Sequence, residues 1–233
     1  MQDRDPDRYQ DGARSWQEKY CFYDLLCVAP QCVDYPDHWK WEDFDPSRLS
    51  RLMSSFDAPW WVAGGRALDL WMGHPTRAHQ DVDVAILRDD QKQLHQTFDG
   101  WELYYATPDH QLLPYRSECW LEVPLHGVWV RPGSDAPWLC EFLLNEHEDQ
   151  QWVYRRNPAV RKPLAEVGVR ALGGVPILVP EIVLLYKAHE LTKKDEADFR
   201  SALPHLTPSR KAWLLEALDE TTPEHPWARR LRG

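Results

Sequence analysis

The stretch WWVAGGRALDLWMGHPTRAHQDVDVAIL, residues 60–87, decides how the rest of the chain is read. Pro59 breaks the chain before an apolar run at 60–63, and such a run predicts a buried β-strand. Gly64 and Gly65 follow directly, then a short helical segment over 66–72, then Gly73, the residue type that ends helices in the left-handed conformation. After a polar loop a second strand is expected over 81–87. Side chains alternate across a strand, so Asp81 and Asp83 are expected on one face, with Val82, Val84 and Ile86 on the other. Two carboxylates that close repel each other and resist burial unless a cation neutralises them, and oxygen-only donors of this kind suit Mg²⁺.

A magnesium site in turn suggests a phosphate ligand. Without a Cβ at Gly64 or Gly65, backbone N–H groups can approach phosphate oxygens, and the following helix aims its positive N-terminal end at them. Arg77 and His79, in the loop before the carboxylate pair, can add charge or donors to the same ligand. A third carboxylate is expected from a neighbouring strand. Glu141, in the strand-like run PWLCEFLL, is the best candidate, whereas Glu122, Glu146 and Glu148 have loop-like surroundings. Lys187, within the apolar helix EIVLLYKAHEL, either reaches the triphosphate or snorkels to solvent. Lys194, Asp195 and Asp198 in KKDEADF read as a helix-capping and ion-pair group.

Outward from this segment the pattern alternates. Asp45 or Ser47 can cap a helix to about Ser55, another helix starts at Arg88–Asp90 with Leu94 and Phe98 on one face, and strands are expected at 101–105, 128–131 and 138–144. Beyond 150, Pro180 suits the first residue of a helix to about Leu191, a second spans 193–203, and Thr207 caps a third. The expected fold class is therefore α/β, a mixed sheet flanked by helices and followed by a small C-terminal helical domain. The expected divisions are an extension at 1–44 without recognisable chemistry, a catalytic domain at 45–150 and a mainly helical domain at 151–233.

At 233 residues the chain is long enough for a substantial core without staples. A formal charge of −10 argues against nucleic acid or an anionic membrane as partner and suits a cationic small molecule better. Cys21, Cys27, Cys32, Cys119 and Cys140 are odd in number and irregularly spaced, which fits reduced thiols in the cytoplasm. The first three, with His38, lack the spacing of a zinc knuckle. There is no leader-like N-terminus and no apolar run of bilayer length.

The segment GGRALDLWMGHPTRAHQDVDVAIL resembles the signature of the aminoglycoside and lincosamide nucleotidyltransferases, within the polymerase-β-like nucleotidyltransferase superfamily. Gly64, Gly65, Gly73, Thr76, Arg77, His79, Asp81 and Asp83 match it in order. FLLNE, DQQWVYRR, VPEIVLLYKA and KKDEADF extend the resemblance over about 47–230. The resemblance implies a transferase that moves a nucleoside monophosphate, AMP from ATP, onto a hydroxyl of a small molecule. In it Asp81 and Asp83 bind the Mg²⁺ that carries the triphosphate, and Glu141 serves as base, metal ligand or both. The antibiotic-modifying enzymes often have aspartate at that third position, and their acceptor-binding residues cannot be aligned here. Two other readings stay open: a toxin-like transferase acting on tRNA or protein, and a nucleotide-binding module without turnover. An aminoglycoside-like polycation is the expected acceptor if Glu181, Glu190, Asp195, Glu196 and Asp198 line its site.

Overall fold

The computed structural model describes residues 33–34 and 40–232. The helix expected over 15–28, together with Cys21, Cys27, Cys32 and His38, lies outside the described residues. In chain order the first elements are β1 (Val33–Asp34), α1 (Pro46–Leu52), β2 (Trp60–Val62), α2 (Gly64–Met72), β3 (Asp83–Leu87) and α3 (Gln93–Thr97). Then come β4 (Glu102–Ala106), β5 (Gln111–Pro114), β6 (Gly127–Arg131), β7 (Cys140–Glu148), β8 (Gln151–Val153) and β9 (Arg161–Pro163). The last are β10 (Gly168–Arg170), β11 (Pro176–Leu178), α4 (Pro180–Lys187), α5 (Lys193–Ala202), α6 (Pro208–Thr221) and α7 (Pro226–Arg232). The fold class is the expected α/β, with a mixed sheet flanked by helices. Among the described residues no helix is long and apolar enough to cross a membrane.

The chain forms two compact units that interleave along the sequence instead of dividing at 150. The first comprises described residues up to Ala58 with Arg88–Leu144, and the second Pro59–Leu87 with Asn145 onward.

In the first unit β1, β5, β4, β6 and the start of β7 run antiparallel in that order, with Tyr105 opposite Val128 and Trp129 opposite Glu141. Asp45 caps α1 by accepting the Ser47 and Arg48 amides at 2.8 and 3.2 Å. Arg88 does not open an α-helix; it begins a 3₁₀ turn and is buried, and its Nη1 donates to the Leu121 and Leu125 carbonyls at 2.8 Å each. Those two bonds hold the 121–125 loop, whose carbonyls would otherwise be costly to bury. Trp129 and Trp138 meet edge to face at 5.4 Å, and the Arg131 guanidinium lies 4.5 Å from the Trp138 ring while bonded to Glu102. Cys140 is a buried thiol outside any disulfide, but Cys119 is disulfide-bonded, which corrects the expectation of reduced cysteines throughout.

The second unit is built on β3, β2, β11 and β10. β2 pairs antiparallel with β3 and parallel with β11, and β11 pairs antiparallel with β10. The Trp61 indole lies on the Cα of Gly168, where any Cβ would collide with it. The end of β7, from Glu146, continues antiparallel into β8 and then β9. These short strands within 151–178 were not anticipated in a region read as mainly helical.

The C-terminal helices follow their caps. Pro180 sits at the start of α4, which buries Ile182, Val183, Leu184 and Leu185. Thr192 and Asp195 form a reciprocal capping box at α5, and Thr207 caps α6. Phe199 of α5 stacks on Trp227 of α7 at 4.1 Å with the rings 3° from parallel, both fully buried. Such a pair contributes about 0.5–1.5 kcal/mol beyond its buried area.

Candidate active site

The residues from Gly64 to Asp83 and those from α4 and α5 belong to the second unit, and they form one continuous set of contacts. Helix α2 begins at Gly64 itself, two residues earlier than the sequence suggests, with Ala63 as its N-cap and no side chain capping its first amides. Gly64 has φ +59°, and a Cβ there would collide with the Asp83 carboxylate. A Cβ on Gly65 would collide with the His79 ring, with Arg77 Nη2 at 2.6 Å. The Gly-Gly pair is thus required by the motif's own side chains, which lie directly on the helix start.

The carboxylate pair differs from the expected arrangement in one respect. β3 starts at Asp83, so Asp81 is an exposed residue of the preceding loop and only Asp83 is presented by the strand. Asp83 is half-buried between the strand and Gly64. Burial, and then the nearby Asp81 charge, push its carboxyl up to about 7, with Lys187 opposing. The two aspartates therefore share one electrostatic environment although they do not share a strand.

Helix α2 ends as the sequence predicts. Gly73 adopts φ +80°, and the Gly73 and His74 amides both donate to the Asp69 carbonyl. The loop then folds back on the side chain of the same residue. Asp69 Oδ1 accepts from Thr76 N at 3.0 Å and Thr76 Oγ1 at 2.7 Å, and Oδ2 accepts from His79 Nε2 at 2.7 Å. The His79 side chain is only 2% exposed, and burial followed by the Arg77 charge lowers its pKa, so the ring is neutral near pH 7. Because Asp69 is an acceptor, the Nε2 of that ring carries the proton. Arg66 Nη2 donates to the His79 carbonyl at 3.0 Å and closes the loop from the other side.

Arg77 points to α5. Its Nε and Nη2 donate to Asp198 at 2.8 and 3.0 Å, a bidentate pair. Lys187, from the end of α4, reaches Asp198 at 2.8 Å and Asp195 at 3.1 Å. Asp198 is 2% exposed in its side chain. Burial alone would raise its pKa, but the bonds from Arg77 and Lys187 outweigh that and hold it below the usual value. Both sequence-predicted cations, Arg77 and Lys187, therefore converge on one buried carboxylate beside the aspartate pair.

Glu141 lies on β7, in the first unit, opposite Trp129 on the paired strand, and its Oε1 occupies the space over Gly127 that a Cβ would need. The acidic residues expected to attract a polycation are mostly engaged internally. Glu181 is buried against Lys162 and Arg210, Glu196 bonds Trp227 and Arg230, and Asp195 and Asp198 hold Lys187. Glu190 is exposed. Asp69 is the residue that sequence reasoning missed. Its signal was a carboxylate on the buried face of an otherwise apolar helix, directly followed by a loop rich in donors.

Among the described residues no group of three or more His, Cys, Asp and Glu side chains is gathered as a metal site. The pair Asp81 and Asp83 nevertheless fits a hard divalent cation. It supplies oxygen donors only, and the two carboxylates lie close enough for the Asp81 charge to add to burial in raising the Asp83 carboxyl.

Residues 47–116 match the family model described as aminoglycoside-2''-adenylyltransferase, a span that contains the whole Gly64–Asp83 motif. The chain superposes on the crystal structure of ANT(2'')-Ia in complex with adenylyl-2''-tobramycin with a TM-score of 0.51 and 16% identity, over 74% of this chain and 95% of that one. The solution structure of the antibiotic-resistance factor ANT(2'')-Ia gives 0.51 and 18%, over 74% and 90%. The lincomycin-bound lincosamide antibiotic adenylyltransferase LnuA gives 0.46 and 15%, over 66% and 91%. A comparison with curated proteins found no match. The fold is thus the one that ANT(2'')-Ia has. The 2''-adenylyltransferase model is matched by the part of the chain that holds the motif.

Proposed function

We propose that the chain is a magnesium-dependent nucleotidyltransferase that moves a nucleoside monophosphate, AMP from ATP, onto a hydroxyl of a small molecule. The observation that carries this reading is the Asp81–Asp83 pair, two carboxylates that sense each other, with Asp83 lying directly on the glycine start of α2. In this reading Asp81 and Asp83 would hold Mg²⁺, which when bound supplies charge neutralisation for the triphosphate. The uncapped Gly64 and Gly65 amides are suited to phosphate oxygens, with the helix dipole behind them. Lys187 and Arg77 add positive charge on the α5 side, each fixed in place by Asp198. Glu141 is assigned as base, metal ligand or both on the resemblance alone. The active-site contribution is positioning and electrostatics, with no covalent intermediate on the protein.

The acceptor in this reading is a small, cationic, hydroxyl-bearing antibiotic of the aminoglycoside type, in keeping with the matched family model. The test is incubation of the purified protein with Mg²⁺, each of the four nucleoside triphosphates and a panel of aminoglycosides and lincosamides, followed by mass spectrometry. The expected product is an acceptor heavier by one nucleoside monophosphate, with pyrophosphate released, lost in Asp83→Asn and Glu141→Gln. An Asp83→Asn variant as active as the wild type would refute the assignment.

A further inference from the structure

The loop between α2 and β3 carries most of the motif's polar residues, and two of them, Thr76 and His79, face α2. Thr76 contributes two donors and His79 one, and all three end on Asp69. Arg66 holds the His79 carbonyl, and the imidazole fits only because Gly65 has no side chain. The next residues are Gln80 and Asp81, the latter free of the strand and therefore dependent on this loop for its location. Asp83 needs no such help, since β3 pairs with β2 through Val84 and Val62.

We propose that Asp69 is the positioning residue of the aspartate pair: by holding Thr76 and His79 it fixes where Asp81 stands relative to Asp83, and so the affinity for a divalent cation. This rests on the nucleotidyltransferase reading and adds to it a residue that touches neither nucleotide nor acceptor. The chemistry of the three bonds makes the role specific. An amide at position 69 keeps an oxygen for Thr76 but places an NH₂ group against His79 Nε2, two donors in opposition, so the ring must change tautomer or turn away. Partners behind metal ligands typically matter by about 10–100-fold in metal affinity.

The experiment measures Mn²⁺ binding by water-proton relaxation, with ATP present, in the wild type, Asp69→Asn, Thr76→Val and Thr76→Ser, alongside thermal unfolding without metal. The expected result is a loss of about tenfold or more in Mn²⁺ affinity for Asp69→Asn and Thr76→Val in protein that is still folded at the assay temperature. Thr76→Ser, which restores the hydroxyl, should return to within about threefold of the wild type. A purely structural role for Asp69 would lower the unfolding temperature and leave Mn²⁺ affinity intact in the folded protein. A folded Asp69→Asn that binds Mn²⁺ as the wild type does overturns the proposal. Should that variant fail to fold, Thr76→Val and Thr76→Ser with equal affinities overturn it instead. A wild type without Mn²⁺ affinity would strike at the nucleotidyltransferase reading itself.

Discussion

Replacing Asp198 by asparagine tests the ion-pair cluster most directly. The native carboxylate is nearly inaccessible and takes three charge-assisted bonds, two from Arg77 and one from Lys187, all between 2.8 and 3.0 Å. Asparagine preserves the shape but removes the charge and one of the two acceptor oxygens. Lys187 then retains Asp195, whereas Arg77 keeps the Ala78 carbonyl and loses its bidentate pair, with a single amide oxygen left at position 198. Removing one partner of a buried pair costs about 3–5 kcal/mol, and the partial exposure of Arg77, at 23%, places this case near the lower figure, about 3. For a chain of this size 1 kcal/mol corresponds to about 2–4 °C, so the unfolding temperature should fall by about 6–12 °C at neutral pH. The sign of the pH dependence follows from the lowered pKa of Asp198. Its stabilisation is complete above the unfolded carboxylate value and is lost as pH falls through the folded one. Scanning calorimetry of both proteins should therefore show a gap that is constant over about pH 6–8 and closes below about pH 4. Unfolding temperatures within about 2 °C at neutral pH, or a gap that widens on acidification, would refute the reasoning.

Gly64→Ala combines a left-handed backbone with a collision against Asp83, and should cost at least about 1–3 kcal/mol in urea unfolding while abolishing Mn²⁺ binding. A variant with wild-type values for both would show that the glycine is dispensable. Asp81→Asn should move the Asp83 titration, followed by ¹³C-carboxyl NMR without metal, down from about 7 but not to the ordinary 3.8, since burial is the larger cause. An unmoved midpoint would mean that the two carboxylates do not sense each other. Asp45→Ala removes the acceptor for two α1 amides and should lower stability by about 1 kcal/mol, again read from urea unfolding, with no effect on nucleotide binding.

The elements around Gly64 were legible because local chemistry specifies them: Pro59 before a strand, Gly73 at a left-handed helix end, Thr207 and Pro208 at a helix start. The extent of β3 was misread by two residues, since alternation in DVDV is satisfied equally by a strand and by a loop leading into one. The strands β8–β11 escaped notice because each is three residues long, too short for any periodicity to show. The partners of the site were less legible. Nothing local reveals that Arg77 and Lys187 both bind Asp198, or that Glu181 is taken up by Lys162 and Arg210, because these pairs are made by the fold. Charge count in a sequence thus overstated the acidity available to a ligand. The cysteines failed for a related reason: spacing speaks to metal knuckles and says little about a disulfide such as the one that includes Cys119.

The interleaving of the two units has a consequence for biosynthesis. Arg77 and the carboxylate that anchors it are 121 positions apart, and the unit holding both is completed only by chain that follows Asn145. On a ribosome adding about 5–20 residues per second, the signature loop emerges several seconds before Asp198 can reach it. Throughout that interval α2 lacks the α4 and α5 helices that pack on it, and the first unit has the chance to fold while it waits. A nascent chain stalled between Leu144 and Asp198 would carry the whole recognisable motif without the ion cluster that fixes it, and is the form in which chaperone capture of this protein should be greatest.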